Sequence, residues 1–143
     1  MRRLKRCFYG LVLLLAIAIC TTAAPQSALA VSSGNQASQQ IVLNTPPAQV
    51  FPLAQQAFED WSRGEFVAAD EASLQVKGLS RTNVFKFVDD LAVTLNPDSA
   101  DPTKTDLAIV SAGRLGEYDF GGNQRNIDEY LATLRSLLEN APS

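Results

Sequence analysis

The stretch Phe85–Leu95, FKFVDDLAVTL, decides the fold of this 143-residue chain. Its odd positions are Phe85, Phe87, Asp89, Leu91, Val93 and Leu95. A period of two marks a β-strand with one face on a core. One carboxylate interrupts the apolar row. A buried charge without a partner is costly, so Asp89 needs local compensation. Three readings of it stay open. A β-bulge at Asp89-Asp90 would turn one side chain to water. An arginine would pair with it as a structural bridge. An acid held ready for proton transfer or ligand contact is the third. Asp90 has the opposite parity, beside Lys86 and Thr94, and reads as a solvated charge.

The pattern extends on both sides of this strand. EFVAAD and SLQVKGL, upstream, are separated by a short polar turn and predict a hairpin. NVFKFVDDLAVTL is the third strand, and NPDSADPTKT is a loop rich in turn formers. DLAIVSAGRL is the fourth strand, pairing back on the third. Ahead of the strands, Val50, Leu53, Ala54, Ala57, Phe58 and Trp61 form one apolar stripe at helical spacing. Thr45 with Pro46-Pro47 looks like the helix start, Pro52 predicts a kink or a later start, and Arg63-Gly64 the end. After the strands, Ile127, Tyr130, Leu131, Leu134, Leu137 and Leu138 give a second helix, with Asn123 expected as its cap.

The expected fold is therefore α+β. It is a two-layer sandwich, with a four-stranded antiparallel sheet and an N-terminal and a C-terminal helix on one face. Residues 46–143 make the single domain, and residues 31–45 a flexible polar lead-in with room for a short edge segment at Ile41-Val42-Leu43. Val84, Val88 and Ala92 make the opposite sheet face partly apolar, which suits a protein partner or an apolar ligand.

The first thirty residues stand apart. MRRLKR holds four basic residues, CFYGLVLLLAIAIC is apolar, and Ala28-Leu29-Ala30 is a small-residue cleavage site. That order predicts a Sec-type secretory signal cut after Ala30. Export would lead to the periplasm, or to the thylakoid lumen in a photosynthetic host. The alternatives are an uncleaved N-terminal tether and lipidation at Cys20, which the bulky Ile19 disfavours.

Removing four of the twelve basic residues leaves eight against fifteen acidic ones, a net charge of −7. Such a domain repels nucleic acid and anionic membranes, and no stable membrane insertion is expected after cleavage. Both cysteines, Cys7 and Cys20, leave with the signal, and the chain has no histidine. Disulfides, thiol nucleophiles, His-based triads and ordinary zinc or copper sites are closed to the mature chain.

Two motifs carry a family resemblance. FKFVDD (85–90) and SAGRLGEYDFGGNQRNI (111–127) resemble the strand motif and the Ser-Ala-x-Arg-x-Gly-x-x-Asp-x-Gly-x-Asn-x-Arg pattern of the family catalogued as domain of unknown function 1499. Arg114, Gly116, Asp119, Gly121, Asn123 and Arg125 fall on motif positions. The chain departs from the pattern at Asn126, where a second basic residue is common, and lacks a Cys-containing segment before the first helix. The resemblance implies an exported or lumenal bacterial or plastid protein, and it implies no reaction.

The candidate cluster is Asp89, Asp90, Arg114, Asp119, Asn123 and Arg125. Arg114 should lie toward the start of the third strand, with Arg125 an alternative partner for Asp89. An Arg–carboxylate cluster can hold an anion, and more often ties a loop to a sheet. GRLGEYDFGGN lacks the Gly-Lys-Ser/Thr ending and the glycine spacing of nucleotide loops. Asp98, Asp101 and Asp106 do not follow calcium-loop spacing. Trp61, Phe66 and Tyr118 read as core rather than pocket lining. No catalytic residue, cofactor or metal ligand is assigned. The leading expectation is a non-catalytic binding or assembly module, whose partner is a protein or a small apolar or anionic ligand. The rival is an enzyme using Asp89 or Asp119 as acid or base, with Arg114 or Arg125 positioning an anionic substrate. A structural envelope protein is the third.

Overall fold

The computed structural model describes residues 30–82, 86–116 and 119–141. Along the chain run β1 (Ala30–Ser33), β2 (Gln36–Leu43), α1 (Pro47–Asp60), β3 (Gly64–Asp70), β4 (Gln75–Arg81), β5 (Val88–Pro97), β6 (Thr105–Gly113) and α2 (Gly122–Asn140). All strand pairs are antiparallel, in the order β1-β2-β6-β5-β4-β3. The class is α+β, as expected. The expected strand count is corrected from four to six among the described residues. Residues 1–29, all but the last residue of the expected signal segment 1–30, lie outside the described residues.

The two added strands run from Ala30, the last residue of the expected signal, through the segment expected as a flexible lead-in. The edge segment expected at Ile41-Val42-Leu43 is the end of β2. Gln36, Ser38 and Gln40 alternate with Ala37, Gln39 and Ile41, so a period of two is present in mostly polar residues. Gly34 takes a positive φ of 59° in the turn between β1 and β2, which a glycine adopts without strain. β2 pairs with β6 over its whole length, from Gln36↔Ala112 to Leu43↔Thr105. The sheet therefore reaches back ahead of residue 46.

One alternating row builds the core. Ala37 and Leu43 on β2, Leu107 and Ile109 on β6, Leu91, Val93 and Leu95 on β5, and Val76 on β4 are buried. Registers Leu91↔Ser111, Val93↔Ile109 and Val76↔Val93 set these side chains side by side. Val50, Ala54, Ala57 and Phe58 of α1 and Ile127, Tyr130, Leu131 and Leu134 of α2 complete the same cluster. Phe58 and Tyr130 meet with ring centroids 4.5 Å apart, and the Tyr130 hydroxyl donates to the Ala54 carbonyl at 2.9 Å. That buried phenol is held well above its ordinary pKa by desolvation.

The helix ends differ from expectation. Thr45 does not cap α1. Pro46 occupies the cap position, and its carbonyl accepts from the Gln49 and Val50 amides at 3.0 and 3.1 Å. The Thr45 carbonyl is taken by the Thr105 hydroxyl at 2.6 Å. Pro52 lies inside α1 without moving its start, and the helix ends at Asp60 rather than near Arg63-Gly64. Gly64 opens β3 instead, where a Cβ would lie 2.5 Å from the Phe58 carbonyl oxygen. Among the described residues no helix is long and apolar enough to cross a membrane.

Candidate functional site

Asp89 lies in an unbroken strand. β5 keeps register with β4 from Arg81↔Val88 to Gln75↔Thr94, and with β6 from Asp89↔Gly113 onward. The bulge expected at Asp89-Asp90 is absent. The register shift falls on β3, between Phe66 and Ala68. Asp89 is half-buried and faces α2. Its compensation is a neutral amide, since Asn126 Nδ2 donates to Asp89 Oδ2 at 2.7 Å.

Asn126 is the centre of a polar seam. Its Oδ1 accepts from Arg63 Nη2 at 3.1 Å and from Ser80 Oγ at 3.0 Å, and its Nδ2 also reaches Ser111 Oγ at 3.3 Å. Ser111 donates to Asn123 Oδ1 at 2.7 Å, and Asn123 donates onward to Asn35 Oδ1 at 3.2 Å. Asn35 closes the line by donating to the carbonyls of Gly113, Leu115 and Gly116 at 2.9–3.0 Å. At the other end Arg63 holds Glu129 through Nε at 3.0 Å and Nη2 at 2.7 Å. Trp61 Nε1 donates to the same Glu129 oxygen at 2.8 Å. Burial raises the Glu129 carboxyl, but the Arg63 and Trp61 hydrogen bonds and the nearby guanidinium outweigh it, leaving the group below its ordinary range. Among the described residues no buried side-chain nitrogen or oxygen lacks a hydrogen-bond partner. A satisfied network of this kind fixes packing.

The remaining motif residues scatter from Asp89. Asp90 points to the opposite sheet face, where Arg114 donates to it through Nε at 2.8 Å and Nη2 at 2.7 Å. The side-chain hydrogen bond from Arg114, then its charge, holds the Asp90 carboxyl low, and Asp90 raises the guanidinium in turn. The arginine bridge expected for Asp89 thus belongs to its neighbour, and Asp90 is paired rather than simply solvated. Arg114 sits at the start of β5, its amide on the Val88 carbonyl, as expected. Asp119 caps α2, accepting from the Gly122 amide at 2.6 Å and the Asn123 amide at 3.1 Å. Asn123, expected as the cap, is instead buried inside the helix. Arg125 is exposed on α2 and does not bond Asp89. Asp89 and Arg114 therefore stand on opposite faces of one sheet.

The residues that sequence reading missed are Asn35, Arg63, Ser80 and Glu129. Gly34-Asn35 carried a turn signal. Ser80 continues the inward row Val76, Gly78 one step past the expected strand. Arg63 and Glu129 offered no local signal, because α2 brings them together across 66 residues. Trp61 is core, and Phe66 packs against it, as expected, whereas Tyr118 and Val84 lie outside the described residues.

The outer sheet face carries a groove of about 360 Å³. Ala92, Val110 and Ala112 form a floor of small side chains, which is why the surface is concave there. Leu79 and Val67 wall it. Val67 projects 53% exposed from the β3 irregularity. Lys77 and the Asp90–Arg114 pair supply its charges. At the end of the sheet, Phe87, Leu115 and Phe120 are 49%, 74% and 96% exposed.

Comparison with solved structures places this fold among known ones. A protein from Nitrosospira multiformis superposes with a TM-score of 0.52 at 9% identity, covering 71% of this chain and 94% of its own. A protein from Mesorhizobium loti gives 0.50 at 16% identity, covering 73% of this chain and 99% of its own. The di-domain ARO/CYC BexL from the BE-7585A biosynthetic pathway gives 0.51 at 16% identity, over 74% of this chain and 48% of that one. At these identities the likeness is one of fold alone. No curated protein sequence matches the chain. A family model does match residues 17–134, and the motifs 85–90 and 111–127 lie within that span. The chain belongs to the family described as protein of unknown function DUF1499.

Proposed function

We propose that this protein is a non-catalytic binding module whose site is the groove on the outer sheet face. One observation carries the reading: a concavity of about 360 Å³ with a mostly apolar lining, on the face turned away from the core. Its size falls in the lower part of the range of small-molecule sites, about 300–1,000 Å³. The rival enzyme reading needs Asp89 or Asp119 with Arg114 or Arg125 positioning an anionic substrate, and Arg125 is exposed on α2 without a hydrogen bond to Asp89. Asp89 is bonded to Asn126, Asp119 caps a helix, and Arg114 is occupied by Asp90. Native mass spectrometry of the protein isolated from its own host tests the reading. Wild type is expected to carry a bound small molecule that Ala112→Phe, which fills the floor, does not. A wild-type spectrum of bare protein, or an adduct kept by the variant, rejects it.

Export by the N-terminal signal is part of the same proposal, with the periplasm or a thylakoid lumen as destination. It rests on the order of charges and apolar residues before Ala30. The intact mass of the host protein should begin at Val31. A mass retaining residues 1–30 would favour the tethered alternative.

A second reading, assembly with a protein partner, is favoured by the exposure of Phe87, Leu115 and Phe120 at one end of the sheet. Leu115→Ser with Phe120→Ser should abolish any stable complex recovered from host extract by size exclusion. A complex that survives the pair of changes does not use this surface.

A further inference from the structure

The charges around the groove are unequal. Arg114 is neutralised by two bonds from its guanidinium to Asp90. Arg81, further along the same face, is paired with Glu65 at 2.8 Å. Lys77 makes no ion pair among the described residues. Asp70, the last residue of β3, attracts it only through space. In register, Lys77 stands beside Ala92, which stands beside Val110. Among the described residues, Lys77 is thus the groove cation without an ion pair, and it borders the apolar floor. Within a domain of strongly acidic balance, this is a local reversal of sign.

We infer that the groove takes a compact apolar molecule bearing a single negative charge, its anionic group on the Lys77 ammonium and its body on the floor of Ala92, Val110 and Ala112. The inference rests on the binding reading above and adds the ligand's chemical class. An apolar body is favoured because the floor offers area and few polar partners. A negative group is favoured because an ammonium beside apolar surface pairs more strongly than one in open water. A single charge matches the single cation left without an ion pair, since Arg114 is already taken up by Asp90. The plainer role for Lys77 is to lay its aliphatic stem over the floor and keep its charge in water.

Two dyes with the same aromatic body separate these outcomes. 8-Anilinonaphthalene-1-sulfonate carries the charge, and N-phenyl-1-naphthylamine does not. Fluorescence titration of the full chain, unfolded and refolded to remove any molecule carried from the host, should show the sulfonate binding about tenfold more tightly, with the gap narrowing as salt rises. Lys77→Met should bring the two dyes level while the neutral one still binds. Ala112→Phe, or Val110→Phe if the first does not fold by near-ultraviolet circular dichroism, should lose both. If neither dye binds wild type, or both survive the filled floor, the groove reading itself falls. If both bind with equal affinity, or the sulfonate keeps its advantage in Lys77→Met, the groove stands and the charge inference is overturned.

Discussion

The side-chain amide of Asn126, on α2, donates to Asp89, on β5, at 2.7 Å, while its carbonyl oxygen accepts from Arg63 and Ser80. One residue thereby reads both signs of its surroundings, giving a proton to a carboxylate and taking protons from a guanidinium and a hydroxyl. Asn126→Asp keeps the shape and reverses one side. The new oxygen faces Asp89 at hydrogen-bond distance, with no proton between them at neutral pH. The variant should be destabilised by about 2 kcal/mol at pH 7. Two like charges at this distance take up a proton more readily than an isolated carboxylate, so the penalty should shrink as the pH is lowered from 7 into the acid range. Urea midpoints of both proteins across that range check it. A gap that does not change with pH would mean that Asp89 is not what Asn126 holds.

Glu129 carries the opposite sign of pH dependence. Burial works against its charge, but Arg63 and Trp61 hold its carboxyl below the ordinary value of 4.5. A group depressed in the folded state stabilises above its unfolded pKa and loses that contribution as the pH falls through the folded one. Wild-type stability should therefore decline on acidification below about 4.5, and Glu129→Gln should flatten part of that decline. Trp61 is the only tryptophan in the chain and donates directly to this carboxylate. Its fluorescence should shift in the same window in wild type and stay level in Glu129→Gln.

The inward placement of Asp89 was legible because parity alone decides it, and so were the helical stripes of α1 and α2, whose apolar residues recur at a fixed spacing. The compensation was not. Asn126 is brought to Asp89 across 37 residues, and an amide on a helix is equally common on a solvated face. β1 and most of β2 were missed for a different reason, only Ile41–Leu43 having been expected as a short edge segment. The inward row of β2 is Ala37, Gln39, Ile41 and Leu43, too small and too polar at its start to stand out, although β6 supplies the pairing. Arg63 could not be found at all from its neighbours. It was read as the end of a helix, and its role exists only once β4 and α2 close around it.

Asp119 has a simpler duty. Its carboxylate accepts from the first two amides of α2, which no residue within the helix can satisfy. Asp119→Ala should cost about 1 kcal/mol in chemical denaturation, and Asp119→Asn should recover most of it, because the oxygen remains and only the charge at the positive helix end is lost. An alanine variant as stable as wild type would show that water caps the helix equally well. The loss should leave dye binding in the groove unchanged, because Asp119 does not line it.

Gly78 joins the two faces of the sheet, bordering the groove on one side and the core on the other. On the core side a Cβ would come within 2.3 Å of Phe58 Cδ1 and 2.4 Å of Cε1. Phe58 is fully buried and rests on Tyr130, so its ring has nowhere to retreat. Gly78→Ala should therefore lower stability by about 1–3 kcal/mol, the usual effect of overfilling a packed core. Phe58→Leu alone should also destabilise, through the cavity it leaves. Made together, the two changes should destabilise by less than the sum of the singles, because the shorter side chain vacates the space that the methyl needs. A double-mutant cycle by urea unfolding measures this directly. Strict additivity would mean that Gly78 is required for its backbone freedom in β4 and not for the approach of Phe58.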